Sequence, residues 1–257
     1  MAWQNMARLV LASQSPRRSA LLSRIVGQFE VIASPVEESG SGITQYPSEP
    51  LEPISLPEGF SIPRQSDPRL WAWNKAMDVA GRMDRQASPD SVVLAADTVV
   101  VGAGKLFGKP SHPDEAVRTL QDLRGTHHYV VTGYVLLPVA ETGPRPESAT
   151  IRAVCTRVVM RDFTQAELEA YVATGEPMDK AGAYAVQGLG GALVERVVGC
   201  YTNVVGLPVC CVRLDLLKHN IKVLPYPSGG FCPLCPNGVQ FTGTGREGAA
   251  PTPTPST

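Results

Sequence analysis

The stretch Leu9-Val10-Leu11-Ala12-Ser13-Gln14-Ser15-Pro16-Arg17-Arg18 places an apolar strand directly before a helix that carries two arginines in its first turn. Ser15 is typical of a helix N-cap, and Pro16 is typical of the first helical position. Cations at this end oppose the helix dipole, so a nearby anion would be favourable. The pattern therefore predicts a phosphate site if the arginines face a cleft, and only a solvated helix end if they do not.

The composition predicts a folded protein without a general affinity for nucleic acid. The chain has 257 residues, of which 43% are hydrophobic and 18% charged, and its formal net charge is −1. Such a chain can bury a core, and it has no overall basic field that would attract nucleic acid. It contains no apolar run of about 18 residues, and residues 1–8 lack the features of a signal peptide. We therefore expect a cytoplasmic protein that binds neither nucleic acid nor membranes.

The periodicity of apolar residues predicts alternating strands and helices. The predicted helices cover residues 16–26, 69–80, 113–124, 165–173 and 209–219. The predicted strands cover residues 9–11, 29–33, 91–101, 129–139, 150–161 and 193–198. Turn residues after position 101 and between positions 139 and 150 predict two hairpins, and Thr164 with Glu167 forms a capping box. Gly133, inside a strand, predicts a bulge or the close approach of another backbone.

Several residues outside the opening stretch are candidates for function. Asp97 interrupts an apolar strand, and because an unpaired buried carboxylate is costly, it either has a local partner or faces a cleft. The glycine-rich segment 178–191 predicts a loop that closes over a ligand. His128 could be a ligand, although a buried structural histidine is the more common outcome. Residues 39–68, rich in Gly, Ser and Pro, predict a long mobile loop.

The C-terminal residues 225–257 are rich in Pro, Gly and Thr, and we expect a disordered tail. Cys232 and Cys235 lie in it with the spacing of half a zinc site, and the sequence offers no obvious second half. A tail that binds zinc and a tail without metal both remain open.

Six blocks of the sequence, in order, resemble the Maf family of nucleotide pyrophosphatases. They are Leu-Ala-Ser-Gln-Ser-Pro-Arg-Arg at 11–18, Ala-Asp-Thr at 96–98, Gly-Lys-Pro at 108–110, the pattern Gly-x-x-His-x-Val-x-Thr-Gly at 125–133, Gly-Glu-Pro-Met-Asp-Lys-Ala-Gly-Ala-Tyr at 175–184 and Asn-Val-Val-Gly-Leu-Pro at 203–208. The resemblance covers residues 9 to about 215. It implies an α/β fold like that of Maf and ITPase proteins, with an elongated mixed β-sheet flanked by helices and a central nucleotide-binding cleft. The domain would span residues 1–224, and a homodimer is possible.

The resemblance also implies an activity: hydrolysis of nucleoside triphosphates to the monophosphate and pyrophosphate with a divalent metal, Mg²⁺ or Mn²⁺. The block 179–184 followed by Gln187 looks like the branch that prefers dTTP and UTP, while CTP and modified pyrimidine nucleotides stay open. In that branch the aspartate matching Asp97 is taken as the proton acceptor. Substrate choice is linked to the positions matching Arg17, Thr98 and Gln187. The site is lined by the positions matching Ser13, Arg18, Glu38, Lys75 and Lys109, and we expect Glu38 and Asp97 to hold the metal.

Two departures from the family pattern stand out: the loop 39–68 is longer than the usual connection, and Trp71 replaces a common Leu. The main alternative is a nucleotide-binding regulator of cell division without turnover. Because Glu38, Asp97, Lys75 and Lys109 are all present, an enzyme is the favoured interpretation. A zinc-dependent interaction module built on the tail, with Cys232 and Cys235, is a third hypothesis. The sequence leaves open whether the role is nucleotide-pool cleansing or control of division.

Overall fold

The computed structural model of the protein describes residues 7–36, 47, 51–84 and 90–225. Within them, one mixed sheet of eight strands is flanked by helices. The strands are β1 (Arg8–Leu11), β2 (Glu30–Val31), β3 (Ser91–Gly102), β4 (Lys105–Phe107), β5 (His127–Ala140), β6 (Gly143–Pro144), β7 (Thr150–Met160) and β8 (Val194–Val198). The α-helices are α1 (Pro16–Leu22), α2 (Pro68–Arg82), α3 (Pro113–Leu123), α4 (Gln165–Ala173), α5 (Tyr201–Val205) and α6 (Val209–Lys218). The predicted α/β fold with an elongated mixed sheet is confirmed.

The main strand order is β2-β1-β3-β5-β7-β8, with β4 paired to β3 and β6 paired to β5. β1 runs parallel to both of its neighbours, whereas each adjacent pair among β3, β5, β7 and β8 is antiparallel. Both predicted hairpins form, β3 with β4 and β5 with β7. The long strands β3 and β5 lie side by side at the centre of the sheet. Their register places Asp97 opposite Gly133.

The two faces of β3 alternate between different helical layers, as the two-residue period of a strand requires. Even-numbered residues such as Leu94 and Val100 face the side of α1 and α6 at one end and of α3 and α4 at the other. Odd-numbered residues such as Val93 and Val101 face α2 and the segment 54–62. Consecutive residues of β3 therefore serve opposite layers.

The helix boundaries differ from the predictions at two places. α1 ends at Leu22 instead of continuing to Val26, and the chain turns so that Ile25 and Val26 still enter the core, 0% and 3% exposed. The apolar residues at the end of the segment 16–26 are therefore buried by a turn that follows a short helix, and not by a longer helix. α2 extends to Arg82, whose guanidinium contacts Asp78 one turn back, as an i,i+4 pair. β2 is also shorter than predicted.

Two local predictions are confirmed in atomic detail. A Cβ on Gly133 would lie 2.3 Å from the backbone nitrogen of Arg69 and 2.4 Å from the carbonyl carbon of Pro68, so the start of α2 rests directly on β5. The Thr164 hydroxyl accepts from the Glu167 N–H, and the Glu167 carboxylate accepts from the Thr164 N–H, completing the capping box of α4.

Parts of the predicted loop and the whole predicted tail beyond residue 225 lie outside the described residues, including Glu38, Cys232 and Cys235. Within 51–68, residues around Leu56 and Ile62 pack against β3 and β5. Among the helices that the structure describes, none has both the length and the apolar character needed to cross a membrane.

Candidate functional site

A gap in the sheet creates the candidate site. β1 pairs with Ser91–Leu94 of β3, and β4 pairs with Val100–Gly102, on the same side of that strand. Between them, residues 95–99 have a strand neighbour only on the β5 side, within the part of the chain described. A cavity of about 740 Å³ lies beside this gap.

The structure brings most of the predicted site residues to this one cavity. Its lining includes seven of them, which come from five separate parts of the chain: Ser13, Arg17, Arg18, Lys75, Thr98, Lys109 and Gln187. Glu38 cannot be placed because it lies outside the described residues. Val36, two residues before it, does line the cavity.

Arg18 is held in place by the protein around it. Its Nε donates to the Gly206 carbonyl at 2.9 Å, and its Nη2 donates to the Thr98 hydroxyl at 3.1 Å. The predicted N-cap Ser15 accepts from the Arg18 backbone N–H at 3.5 Å. The Nη1 of Arg18 also donates to the Ser13 hydroxyl at 3.5 Å. These directional bonds fix the orientation of the guanidinium at the cavity.

Arg17 has a looser environment, with 37% of its side chain exposed. Its Nη1 lies 3.6 Å from Asp179 Oδ2, which belongs to the glycine-rich segment on the other side of the cavity. Exposed ion pairs of this length contribute little to stability. The guanidinium can therefore exchange Asp179 for a ligand at low cost.

Asp97 lies on the face of β3 that α2 covers, and it is 1% exposed. Its Oδ1 is 2.5 Å from Lys75 Nζ, and the Lys75 side chain, 12% exposed, reaches the cavity. Its neighbour Thr98 faces the opposite layer and contacts Arg18. Asp97 itself is not among the described residues that line the cavity. Of the two alternatives that the sequence offered, the structure shows the local partner, and Lys75 connects the buried carboxylate to the cavity wall.

A hydrogen-bond chain beneath the cavity was not predicted from the sequence. The Thr98 hydroxyl lies 3.0 Å from that of Thr132, which donates to the Asn203 carbonyl at 3.1 Å. The buried Asn203 side chain donates to the Val130 carbonyl at 2.9 Å and to the Thr156 hydroxyl at 3.0 Å. Asn203 lies in α5, so these hydrogen bonds hold that helix against the sheet. Gly206, whose carbonyl accepts from Arg18, follows directly at the end of α5.

The glycine-rich segment folds into short 3₁₀ turns at Glu176–Asp179, Ala181–Ala183 and Leu189–Leu193. Tyr184 lines the cavity, and its hydroxyl lies 2.8 Å from His128 Nε2. Burial lowers the pKa of His128 to about 3. His128 is therefore a buried neutral residue that supports the cavity wall, and the alternative of a ligand histidine was wrong.

The metal expected from the sequence would need carboxylate ligands at this site. The described residues contain no group of three or more His, Cys, Asp or Glu that could hold a metal ion. Mg²⁺ in phosphate sites commonly uses one or two carboxylates, with phosphates and waters as the other ligands. Asp97 offers one buried carboxylate, which is paired with Lys75 and does not line the cavity. Glu38, the second expected ligand, lies outside the described residues.

Cationic side chains, hydroxyls and one buried carboxylate thus meet at a gap in a mixed sheet. Such a concentration of fixed positive charge, with bidentate guanidinium groups, suits an anion with several phosphate groups. Fold and site together define an α/β protein with a cleft for a polyphosphate ligand.

The comparisons with known proteins agree with this class. The family model described as Maf-like protein matches residues 8–219, and the chain belongs to the Maf family.

Three relatives with high similarity carry the same name. The chain is 40% identical over 214 residues to the dTTP/UTP pyrophosphatase of Alkaliphilus metalliredigens, covering 83% of this chain and 97% of that protein. It is 43% identical over 210 residues to the dTTP/UTP pyrophosphatase of Geobacter metallireducens, covering 82% and 95%. It is 44% identical over 212 residues to that of Gloeobacter violaceus, again covering 82% and 95%.

Proposed function

We propose that this protein is a nucleoside triphosphate pyrophosphatase that hydrolyses dTTP and UTP to the monophosphate and pyrophosphate. The observation that carries the proposal is the meeting, in one cavity, of side chains from five parts of the chain with the chemistry that a triphosphate needs. Relatives named dTTP/UTP pyrophosphatase, matched over nearly their whole length, support it. CTP and modified pyrimidine nucleotides are further candidate substrates.

The cationic side chains that line the cavity bind the triphosphate. Arg18 is oriented before the ligand arrives, because Gly206 and Thr98 hold its guanidinium. Charges fixed in advance need no reorganisation when negative charge develops in the transition state. Arg17, Lys75 and Lys109 add positive charge around the same cavity. The cavity therefore stabilises both the bound triphosphate and the departing pyrophosphate.

The base of the nucleotide is recognised by Gln187, which lines the cavity. Its amide offers both donors and an acceptor, which matches the mixed edge of a pyrimidine. A site built on such bonds rejects a base that leaves its polar groups unpaired. Thr98 has a second task, because its hydroxyl already accepts from Arg18. We assign to Thr98 the orientation of Arg18 as well as substrate choice.

The reaction is the attack of water on the first phosphorus of the triphosphate. The bond from that phosphorus to the bridging oxygen breaks, and pyrophosphate leaves with the bridging oxygen. Asp97 accepts a proton from the attacking water, as a general base. Asp97 and Glu38 would hold Mg²⁺ or Mn²⁺, and such a metal would supply additional neutralisation of phosphate charge. Lys75 holds the Asp97 carboxylate in place through its ammonium.

We assign the activity to residues 1–224 and none of it to the tail 225–257. A cytoplasmic location and a homodimer are the setting that the family resemblance supports. Light scattering on the purified chain measures the assembly. Metal analysis with and without residues 225–257 tests whether Cys232 and Cys235 bind zinc.

A nucleotide panel tests the proposed function. The full chain is incubated with dTTP, UTP, CTP, GTP, ATP and 7-methyl-GTP in the presence of Mg²⁺ or Mn²⁺. Released pyrophosphate is measured as phosphate after addition of an inorganic pyrophosphatase. We expect turnover of dTTP and UTP above the purine nucleotides, and its loss on addition of EDTA. Tight binding of dTTP without release of pyrophosphate would instead identify a non-catalytic regulator.

A further inference from the structure

The turn that contains Gln187 is hydrogen-bonded to the carboxylate of Glu176. The backbone N–H of Leu189 donates to Glu176 Oε2 at 2.9 Å, and that of Gly190 donates to Glu176 Oε1 at 3.1 Å. These two donors follow Gln187 closely in the chain. Glu176 therefore binds the turn just beyond the residue that we assign to base recognition.

Tyr171 fastens the other end of the same turn. Its hydroxyl donates to Glu176 Oε1 at 3.0 Å and accepts from the Ala185 N–H at 3.2 Å. Ala185 precedes Gln187 by two residues. The Tyr171–Glu176 pair thus holds the backbone on both sides of Gln187.

The turn lies too close to this pair for any side chain to fit between them. A Cβ on Gly188 would lie 2.5 Å from both carboxylate oxygens of Glu176. A Cβ on Gly190 would lie 2.5 Å from the Tyr171 hydroxyl. The glycines that indicated a loop closing over a ligand therefore lie in close contact with the Tyr171–Glu176 pair.

Tyr171 belongs to the core, Glu176 is partly exposed, and neither residue lines the cavity. Tyr171 is 5% exposed in α4 and packs in the cluster that includes Phe163 and Leu168. Neither Tyr171 nor Glu176 is among the described residues that line the cavity. The turn therefore gives these two side chains a route by which to affect a ligand that they do not touch.

The surroundings of Glu176 favour the ionised form of its carboxylate. Burial acts to raise the pKa of Glu176, but the N–H groups of Gly190 and Leu189, the Tyr171 hydroxyl and Lys180 together hold it below its ordinary value. An ionised carboxylate makes stronger hydrogen bonds to N–H groups than a neutral one. The turn is thus held by charge-assisted bonds at neutral pH.

We propose that Glu176, oriented by Tyr171, is a positioning residue that sets pyrimidine selectivity by fixing the turn of Gln187. The inference rests on the proposed function, because it takes Gln187 as the residue that meets the base. A side-chain amide offers both donors and an acceptor, so it can satisfy the edge of thymine or of cytosine. It discriminates between them only when its position is held. Without the hydrogen bonds of Glu176 and Tyr171, the Gln187 amide can shift to bind either base.

A double-mutant cycle tests this coupling, with the ratio of kcat/KM for dTTP over dCTP as the readout. Gln187→Ala sets the reference loss of selectivity. We expect Glu176→Ala to lower the ratio by about 10-fold, mainly through KM for dTTP, as for a lost binding contact. The double variant should lose no more than either single variant, because Glu176 acts through Gln187. Glu176→Gln should fall between, because its NH₂ group cannot accept a bond.

Thr164→Ala is the matched control for stability. It removes the capping box of α4, the helix that carries Tyr171, without a described contact to the turn. We expect a lower melting temperature with an unchanged nucleotide ratio. Hydrogen exchange gives an independent readout, in which Glu176→Ala should accelerate exchange at Leu189 and Gly190 but not in β3.

The outcomes separate this inference from the proposed function. An active wild type whose nucleotide ratio is unchanged by Glu176→Ala overturns the inference alone. Additive losses in the double variant overturn it as well. A wild type that binds dTTP without turnover overturns the proposed enzyme, and the ratio of dissociation constants then tests the role of Glu176. A wild type that binds neither nucleotide overturns both.

Discussion

The Lys75 ammonium lies 2.5 Å from the Asp97 carboxylate on one face of β3, while Thr98, the next residue, contacts Arg18 on the other face. The alternation of side chains along a strand explains this separation. The gap between β1 and β4 opens the edge of the strand at these positions, within the described residues. A ligand at the gap can therefore be reached from both layers of the protein.

Asp97→Asn tests the assignment of the general base. The amide preserves the shape of the side chain but cannot accept a proton from water at neutral pH. Since positioned general bases commonly contribute 10²–10⁴-fold, we expect kcat for dTTP to fall by about 100-fold or more. Pyrophosphate release measures the loss. Calorimetric titration with dTTP should show that nucleotide binding is retained.

Asp122→Asn is the control for Asp97→Asn. It also removes a carboxylate paired with a lysine, but the Asp122–Lys105 pair is about half exposed. We expect unchanged turnover and an unchanged melting temperature, because exposed pairs contribute little. Normal kcat in Asp97→Asn would remove Asp97 from the chemistry.

The adjacent arginines should differ in what their loss costs. Arg18→Ala removes bonds to the Gly206 carbonyl and the Thr98 hydroxyl, and hydrogen bonds of charged groups contribute about 1.5–3 kcal/mol. Arg17→Ala removes only a half-exposed contact with Asp179, worth about 0–1 kcal/mol. We expect both variants to raise KM for dTTP, and only Arg18→Ala to lower the free energy of unfolding markedly. Urea denaturation and steady-state kinetics measure the two effects.

Arg18→Lys refines this comparison. A lysine keeps the charge but lacks the planar fork that bonds two acceptors at once. It should therefore lose most of the stability that Arg18→Ala loses. Equal losses of stability in Arg17→Ala and Arg18→Ala would contradict the division of tasks between the two arginines.

Gly133→Ala should disturb both the fold and the site. The added Cβ would meet the backbone of Pro68 and Arg69, which cannot rotate away as a side chain could. Overpacking of this kind costs about 1–3 kcal/mol, and displacement of α2 would also move Lys75 away from Asp97. We expect lower stability together with lower kcat. Unfolding in urea and pyrophosphate release provide the measurements.

Gly81→Ala, in α2 itself, should have the opposite effect on stability. Nothing lies within 4 Å of a Cβ at that position. Alanine is favoured over glycine inside a helix by about 1 kcal/mol, so the variant should be slightly more stable and fully active. A destabilised Gly81→Ala would show that sensitivity along α2 is general and not a result of the contact at Gly133.

The features that could be predicted from sequence rest on signals between near neighbours in the chain. The capping box at Thr164 needs only four residues, and the sheet follows from apolar strands with turns between them. The contact of Arg18 with Gly206 could not be predicted in this way, because 188 positions separate the two residues. The same is true of Asn203, whose role depends on which strands pack beneath α5.

Glu176 shows that one sequence signal can have two structural causes. The glycines at 188 and 190 were visible in the sequence, but glycine indicates either flexibility or close contact. Only the position of Glu176 against the turn distinguishes the two. α1 illustrates the same limit, because Ile25 and Val26 keep their burial although the helix ends at Leu22.

His128 should make stability depend on pH below neutrality. Burial lowers its pKa to about 3 in the folded protein, against 6.5 for an ordinary histidine. Between these values the unfolded chain binds a proton that the folded protein does not, so the stability that is present above pH 6.5 is lost as the pH falls. One such proton changes the free energy of unfolding by about 1.4 kcal/mol per pH unit. We expect wild type to lose about this much more per unit than His128→Gln between pH 6 and 4, by urea denaturation at each pH. Parallel slopes for the two proteins would show that His128 does not remain neutral inside the fold.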